Sequence, residues 1–365
     1  MKKSAGIYIH IPFCRSKCPY CDFYSHAGNE EQLSGYTAVL TEKISEAAKK
    51  YELCADSLYF GGGTPGLLGA ERLCGLIGAV RDSFGIADGS EVTVEVNPCC
   101  NTDFELLRRG GANRISIGVQ SANDNELKML GRQHDRETAA ECIRAAANGG
   151  FDNISLDLML GIPFQTKGSL RRSVDFCAES GASHISAYLL KIEEGTVFHK
   201  KGDSLPLPDE DEAAELYEEL CALMKEYGYE HYEISNFCKK GFEGRHNLKY
   251  WHDEEYLGIG PSAHSFINGK RFYYPRNMKR FYADEVIDDG TGGDEEEFIM
   301  LGLRLSEGIA KDGFFLRFGR ELPEKYIKRA RVFTNSGLVR ITEGGFALTE
   351  KGFLVSNSLI AEIIG

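Results

Sequence analysis

Six short apolar runs alternate with helical patterns over residues 1–230, and this alternation restricts the fold more than any other feature of the chain. The runs that predict strands cover residues 6–11, 57–60, 91–96, 114–118, 153–160 and 184–188. The helical patterns cover residues 31–51, 70–83, 103–109, 136–148, 167–179 and about 209–227. Repeated β-then-α units predict a parallel sheet with helices packed outside it. Six units do not close an eight-stranded barrel, so we expect an α/β fold with an open, partial (β/α)6 barrel.

The motifs of this chain follow the predicted strands. Functional sites of parallel barrels gather at the carboxyl ends of the strands. Cys14, Gly61, Asn97, Gln120 and Gly161 all lie at or just past the end of a predicted strand. We therefore expect one site at this end of the barrel.

Three cysteines follow the first strand: Cys14, Cys18 and Cys21. Three thiolates on one short loop can hold three irons of a [4Fe-4S] cluster, which usually takes four cysteines. The open fourth iron would suit the amino and carboxylate groups of S-adenosylmethionine (SAM). The alternative is a zinc site with His10 or His26 as the fourth ligand, because structural zinc takes four ligands.

The other cysteines predict no disulfide framework, because the total of eleven is odd and the cysteines are scattered over a long chain. Free cysteine is often simply buried. We expect most of the eight to be core residues, including the adjacent pair Cys99 and Cys100: Cys54, Cys74, Cys99, Cys100, Cys142, Cys177, Cys221 and Cys238.

Further motifs suggest how SAM would be bound. Gly61, Gly62 and Gly63 precede Thr64. Such glycines let backbone groups approach a ligand closely, although a flexible turn is the alternative. Glu95 ends the third strand and could accept hydrogen bonds from ribose hydroxyls.

Three more polar side chains belong to this prediction. Gln120 could contact ribose as Glu95 does, and Arg132 offers a planar fork for a carboxylate. Asp157 is a charge within an apolar strand, and an unpaired buried carboxylate is costly. It therefore needs a partner, either structural or a ligand.

Composition excludes several classes of protein. The net charge of −13 disfavours nucleic acid and anionic membrane surfaces as partners. The first residues lead directly into a strand without the apolar segment of a signal peptide, and no run reaches 18 apolar residues. The sequence therefore predicts a soluble, cytoplasmic protein.

An acidic segment and a hairpin suggest domain boundaries. Residues 284–297 carry eight acidic residues and no basic one, which predicts a solvated linker. Residues 338–341 and 346–348 flank a turn and predict a hairpin, with a basic helix over about 320–331 before it. We expect a core over 1–230, a connecting segment over 231–290 and a small winged-helix-like α+β cap over 291–365. DNA binding by that cap is disfavoured in so acidic a chain.

The motifs together resemble the coproporphyrinogen-dehydrogenase-like branch of the radical SAM superfamily over the whole chain. The matching runs are Tyr-Ile-His-Ile-Pro-Phe-Cys, Gly-Gly-Gly-Thr-Pro, Glu-Val-Asn-Pro, Gly-Val-Gln-Ser and Asp-Leu-Met-Leu-Gly-Ile-Pro. The resemblance implies a partial barrel of radical SAM type, with the cluster on the three cysteines. It also implies a SAM site lined by Tyr8, Phe23, Gly62, Gly63, Thr64, Glu95, Gln120, Arg132 and Asp157.

Two features choose a subfamily within that branch. The oxidases carry a further cysteine where this chain has Phe23, and a sizeable N-terminal extension where only 13 residues precede Cys14. The run His246-Asn-Leu-Lys-Tyr-Trp251 resembles the hallmark of the heme chaperone subfamily, and residues 232–237 and 258–265 are similar to it too. Pro261 departs from the expected glycine.

This resemblance implies heme as a ligand. His246 could ligate heme iron and Trp251 could cover a porphyrin face, although the segment could instead pack the open side of the barrel. His264, His10 and Cys238 are competing ligands.

The implied function is a heme chaperone that delivers heme to hemoproteins such as respiratory enzymes. The cluster and SAM would then serve assembly, regulation or homodimer formation. The alternative is an oxygen-independent coproporphyrinogen III oxidase that uses a 5′-deoxyadenosyl radical. A SAM-dependent methylase is a third class, without positive signal.

Overall fold

The structure is a computed structural model that describes residues 2–365, and the predicted alternation forms its larger part. Strands β1–β6 cover Lys3–Ile11, Leu53–Gly62, Ile86–Val96, Arg114–Gln120, Asn153–Leu160 and His184–Leu189. Helices α1–α8 cover Glu30–Tyr51, Ala70–Phe84, Phe104–Gly110, Asp124–Met129, Arg136–Asn148, Lys167–Glu179, Val197–Lys201 and Glu210–Glu226. The six predicted units are confirmed, and Asp209 caps α8 with Glu212 as expected. The short helices α4 and α7 were not predicted.

The sheet is parallel at its centre and open. β1–β6 pair in chain order, each parallel to the next. Beyond β6 lie β8 (Asn236–Cys238) and then β7 (Glu230–Glu233), both in antiparallel pairs. The next elements are α9 (Arg245–Trp251), β9 (Tyr256–Ile259), β10 (His264–Ile267), β11 (Lys270–Tyr273), α10 (Met278–Tyr282) and β12 (Ile287–Thr291). β9–β12 extend the other edge from β1, and the described strands do not close. The open, partial barrel is therefore confirmed.

Alternation along the strands separates the core from the barrel interior. On β4, Ile115, Ile117 and Val119 belong to the buried apolar core, whereas Arg114 and Gln120 line the interior cavity. Successive strand residues point to opposite faces of a sheet, so the apolar set packs under the outer helices. The inward set is polar, and the barrel therefore holds a cavity instead of an apolar filling.

The remaining residues form a smaller α+β unit. Its elements are α11 (Glu295–Gly302), β13 (Ile309–Ala310), α12 (Lys311–Phe318), α13 (Glu324–Arg331), β14 (Val339–Thr342), β15 (Gly345–Leu348), α14 (Glu350–Leu354) and α15 (Ser356–Ile364). β15 is the middle strand of a three-stranded sheet. The predicted hairpin is confirmed as β14 and β15, and the basic helix begins at Glu324, later than predicted.

The expectation of an acidic linker is wrong. Within residues 284–297, β12 pairs with β11, and α11 begins at Glu295. Glu297 lies 2.7 Å from Arg271, and Asp284 lies 2.9 Å from Lys43. The cations that balance these acids come from distant parts of the chain, which is why the local composition was misleading. The division at residues 230 and 290 stays a prediction.

The C-terminal unit docks on the edge of the barrel through backbone and side-chain contacts. Ile234 N–H donates to Arg304 C=O at 2.9 Å, and Ser306 N–H donates to Tyr232 C=O at 3.0 Å. Arg317 on α12 reaches the buried Asp253 at 2.7 Å. Among residues 2–365, no helix combines the length and the apolar character that a membrane crossing requires.

Candidate functional site

A cavity of about 390 Å³ lies inside the barrel at the carboxyl ends of the parallel strands. Cys14, Cys18 and Cys21 line it and are half-buried. The following predicted residues line the same cavity: Phe23, Gly62, Gly63, Thr64, Glu95, Gln120, Arg132 and Asp157. Tyr8 and His246 are absent from its wall. The structure therefore brings most of the predicted site residues to one place.

The glycine run is held against the strand that leads to the cysteine loop. Gly63 N–H donates to Ile11 C=O and Thr64 N–H donates to Phe13 C=O, both at 2.8 Å. A Cβ atom on Gly63 would lie 2.6 Å from the Phe13 oxygen and 2.8 Å from the Ile11 oxygen. Real Cβ atoms essentially never come so close. Packing thus requires glycine here even before any ligand is considered.

Polar side chains approach two of the three thiols. Cys14 Sγ lies 3.5 Å from Thr64 Oγ1, and Arg132 Nη1 donates to Cys18 Sγ at 3.8 Å. Arg132 Nη2 also donates to Asn97 Oδ1 at 2.6 Å and to Gly118 C=O at 2.8 Å. Burial raises the pKa of the Cys21 thiol, and the Lys17 cation opposes that shift.

The donor set fits a cluster held on three thiolates. Within residues 2–365, no three His, Cys, Asp or Glu side chains converge as ligands of one metal ion. A [4Fe-4S] cluster does not require ligands that converge on one point, because its irons occupy separate corners and each cysteine binds its own iron. Three half-buried thiols on one loop at the cavity wall meet that need.

Two half-buried carboxyl groups face the cavity. Glu95 accepts from Tyr59 Oη at 2.8 Å and from Gly62 N–H at 3.2 Å, and Asp157 accepts from Ser116 Oγ at 3.0 Å. Burial raises the pKa of Glu95 to about 7 and that of Asp157 to about 6, because it penalises the charged form. Both groups could accept hydrogen bonds from a polar ligand.

Five further residues that the sequence motifs did not indicate lie at the inner wall of this cavity: Arg114, Ser116, Ser186, Tyr188 and Asn247. The signal was present for four of them, because they alternate with core residues along β4 and β6. Asn247 belongs to the His-Asn-x-x-Tyr-Trp run and follows His246, the predicted heme ligand.

His246 does not have the geometry expected of an iron ligand. It is fully buried, with Nδ1 2.8 Å from Ser57 Oγ and Nε2 2.9 Å from Tyr250 Oη. Burial lowers the pKa of His246 to about 3, so the ring is neutral. Both ring nitrogens are engaged, and neither is free for iron in this conformation. This outcome matches the alternative in which the segment packs the open side of the barrel.

The other heme ligands considered differ in exposure. His10 is buried and bonds Tyr8 Oη and Tyr24 C=O, both at 3.0 Å, and Cys238 is fully buried. His264 is exposed, and its ring stacks on Tyr273 at a centroid distance of 4.8 Å. Among these candidates, His264 is therefore the one that solvent and ligands can reach.

Trp251 lies half-buried at the junction with the C-terminal unit. The Arg304 guanidinium lies over its indole at 5.6 Å from the ring centroid. A cation over an indole face is attracted by the ring quadrupole. This face of Trp251 thus contacts protein and is not open to a porphyrin.

Comparison with known proteins agrees with this geometry. The Radical SAM superfamily model matches residues 8–177, and the HemN C-terminal domain model matches residues 295–355. The heme chaperone HemW of Bacillus subtilis (strain 168) is 36% identical over 98% of both chains. The chain belongs to the HemW family. The HemW of Escherichia coli (strain K12) is 34% identical over 97% of both chains.

A solved structure shows the same fold as this HemW family member. It is coproporphyrinogen III oxidase (HemN) from Escherichia coli, described as a radical SAM enzyme. The TM-score is 0.85 at 21% identity, and the match covers 99% of this chain and 90% of that one. The radical SAM domain of the HemW family implies a [4Fe-4S] cluster and SAM, and the thiols and polar cavity described above fit both.

Proposed function

We propose that this protein is a heme chaperone, which binds heme in the cytoplasm and passes it to recipient hemoproteins such as respiratory enzymes. The observation that carries the proposal is the similarity to relatives named heme chaperone HemW along nearly the whole of both chains. Phe23 supports it, because this exposed side chain stands at the cavity mouth where the related oxidases carry a cysteine.

In this proposal, the thiolates of Cys14, Cys18 and Cys21 hold the cluster. When bound, the cluster and SAM together supply reductive cleavage chemistry or a structural centre. Arg132 balances the charge of the thiolates through its contact with Cys18. Glu95 and Asp157, which both line the cavity, accept hydrogen bonds from SAM.

The cluster assignment has a direct test. Replacing all three cysteines with alanine should abolish visible absorbance and bound iron, because each thiolate is a ligand. A Cys221→Ala variant, changed at a buried position on α8, should keep both. Retention of the cluster by the triple variant would contradict the assignment.

Heme binding is tested by titration. The full chain mixed with hemin should give a shifted Soret band that saturates near one equivalent, with and without oxygen. We propose His264 as the iron ligand, since it is the exposed candidate. His264→Ala should move the band, whereas His199→Ala and His252→Ala, also exposed, should not. Absence of a Soret shift in the unmodified chain would rule out the chaperone function.

Delivery and oligomeric state are separate measurements. Heme-loaded protein mixed with an apo-hemoprotein should transfer its heme faster than free hemin equilibrates. Analytical ultracentrifugation with and without the cluster would test the homodimer.

An oxygen-independent coproporphyrinogen III oxidase is the second candidate. It is favoured by the predicted SAM-binding side chains that line the cavity, among them Glu95, Arg132 and Asp157. Anaerobic incubation with SAM, a strong reductant and coproporphyrinogen III would yield protoporphyrinogen if the protein is that enzyme. Under our proposal no product forms, while hemin binding is retained.

A further inference from the structure

A second, smaller cavity of about 40 Å³ lies beside the cysteine loop and brings four thiols together. Cys14 and Cys18 come from the loop, and Cys99 and Cys100 come from the turn after β3. The expectation that Cys99 and Cys100 are core residues is wrong, because both are half-buried and face this cavity. Space for only a few water molecules separates the two pairs.

A short chain of side chains connects the two pairs. The Asn97 carbonyl accepts from Cys100 N–H at 2.8 Å, which closes the turn. Asn97 Nδ2 donates to Thr64 Oγ1 at 2.8 Å, and Thr64 Oγ1 lies 3.5 Å from Cys14 Sγ. Cys100 therefore lies on the cavity wall next to the residues that contact the Cys14 sulfur.

The cysteine loop is anchored at Cys14, whose N–H donates to His26 C=O at 3.0 Å, and is less restrained in the three residues that follow. Arg15, Ser16 and Lys17 are exposed, and their N–H groups donate no backbone hydrogen bond in the described structure. A disulfide requires Cα atoms roughly 4.4–6.8 Å apart, and rotation of the two cysteine side chains together with a shift of this segment is the movement that would bring the sulfurs together.

We propose that Cys14 and Cys100 form a reversible disulfide when the protein lacks its cluster. The oxidant is a peroxide. Hydrogen peroxide oxidises one thiol to a sulfenic acid, and one water is released. The second thiol then attacks the sulfenic sulfur, which forms the disulfide and releases a second water. The two thiols lose two protons and two electrons, and the peroxide becomes two waters. A small dithiol reverses the reaction by two exchange steps and is itself oxidised to a disulfide.

The disulfide between Cys14 and Cys100 would control whether the cluster can assemble on the cysteine loop. This inference rests on the proposal that Cys14 is a cluster ligand. While the disulfide is present, one ligand is unavailable and the cluster cannot assemble. It also protects the Cys14 sulfur from oxidation to sulfinic acid, which is irreversible in most proteins.

The test uses the full chain, stripped of iron by a chelator under reducing conditions. After one equivalent of hydrogen peroxide, free thiols are alkylated and unreduced peptides are mapped by mass spectrometry. We expect a peptide pair joined through Cys14 and Cys100, which dithiothreitol separates. Fully alkylated thiols, or bonds mainly between Cys14 and Cys18 or between Cys99 and Cys100, would overturn the proposal.

Matched variants sharpen the test. Cys100→Ser should abolish the joined pair, while Cys99→Ser and Cys142→Ser should keep it. After excess peroxide, then dithiothreitol, iron and sulfide, the unmodified chain should regain its full iron content. Cys100→Ser should regain less than about half, because Cys14 is over-oxidised. Equal recovery in both would overturn the protective role. Heme is absent from every step, so this outcome is independent of the chaperone proposal.

Discussion

At the scale of the residue, Glu95 and Asp157 are half-buried acids that line the cavity. Within residues 2–365, neither has a cation within 4.0 Å. Buried Asp253, in contrast, lies 3.2 Å from Arg271 and 2.7 Å from Arg317. The carboxyl groups of Glu95 and Asp157 are thus costly in the free protein and suited to a ligand that supplies donors.

Asp157→Asn should make the protein more stable at pH 8 and weaken SAM binding. Burial raises the pKa of Asp157 from 3.8 to about 6, so the folded state holds the proton more tightly than the unfolded chain. The free energy of unfolding therefore falls as the pH rises through this window. Asp157→Asn has no carboxyl group that titrates in this window and does not lose this stability. Its free energy of unfolding should exceed that of the unmodified protein by on the order of 2 kcal/mol at pH 8, and the difference should vanish towards pH 4. SAM affinity should fall by about 1–3 kcal/mol.

Urea unfolding at pH 5 and pH 8 and calorimetric titration with SAM measure these two effects. Asp152→Asn is the matched control, since that side chain is exposed just before β5. A variant that is less stable at pH 8 with unchanged SAM affinity would show that Asp157 serves the structure alone.

His246→Ala should destabilise the protein and leave the heme spectrum unchanged. The substitution leaves Ser57 and Tyr250 without their partner and opens a cavity. We expect a loss of about 2–4 kcal/mol in the free energy of unfolding. His264→Ala, on the exposed surface, should cost less than about 0.5 kcal/mol.

Denaturant unfolding and Soret spectra on the folded variants separate the two roles. If the Soret band moved in the His246 variant and not in the His264 variant, the buried ring would have to rearrange when heme binds.

At the scale of the element, the glycine run and the cysteine loop act as one unit. The N–H groups of Gly63 and Thr64 donate hydrogen bonds to the backbone carbonyls of Ile11 and Phe13, just before Cys14. Strand β1 pairs with β2 along its length and delivers the loop to the same edge as the glycines. The position of the thiols thus depends on a backbone contact that tolerates no side chain.

Gly63→Ala should impair cluster assembly although it changes no ligand. Its Cβ would lie 2.6 Å from the Phe13 oxygen, which is backbone and cannot move aside cheaply. We expect bound iron to fall to less than about half, with a loss of stability of about 1–3 kcal/mol.

Iron analysis and visible absorbance check this, with Gly78→Ala as control. Gly78 lies within α2, and an added Cβ there meets nothing within 4 Å. That control should be neutral or stabilising by up to about 1 kcal/mol. Full iron content in the Gly63 variant would show that the loop shifts without loss.

At the scale of the whole molecule, the C-terminal unit is joined to the barrel through the buried Asp253. Asp253 is buried and accepts from Arg271 at 3.2 Å and from Arg317 at 2.7 Å. The first guanidinium belongs to the sheet and the second to α12. Burial raises the pKa of Asp253 to about 6 even with both cations near. The two ion pairs of Asp253 therefore join the C-terminal unit to the sheet, although they require a buried charge.

Truncation after Asp289 should unfold or destabilise the core, even though the removed residues include none of the proposed cluster or SAM ligands. The cut divides β12 and removes Arg317, which leaves Asp253 with one partner. We expect a melting temperature lower by at least about 10 °C and, as a consequence, reduced bound iron.

Calorimetry and iron analysis measure this, and Arg317→Ala in the full chain is the matched control. Because Arg317 is partly exposed, that variant should lose only about 1–3 kcal/mol. A truncated chain that melts as the full chain does would show that the core is independent.

Much of the fold could be predicted because its signals are local. The bounds 153–160 and 136–148 agree with β5 and α5, where alternation and helical periodicity are clear. The segment 284–297 was misjudged because Lys43 and Arg271, which balance its acids, lie elsewhere in the chain. Cys99 and Cys100 were misjudged for the same reason, since their cavity is completed by the loop near Cys14.

The sequence by itself determined the order of the main elements, the family and most of the predicted residues that gather at the cavity, because periodicity and motif spacing are properties of neighbouring residues. Only the tertiary structure decided where the side chains of the His-Asn-x-x-Tyr-Trp run lie. His246 is bonded to Ser57, 189 positions away, and Asn247 beside it lines the cavity. His246 and Asn247 are neighbours on α9, and successive helix residues point about 100° apart, so what packs against the helix decides which of the two faces the cavity.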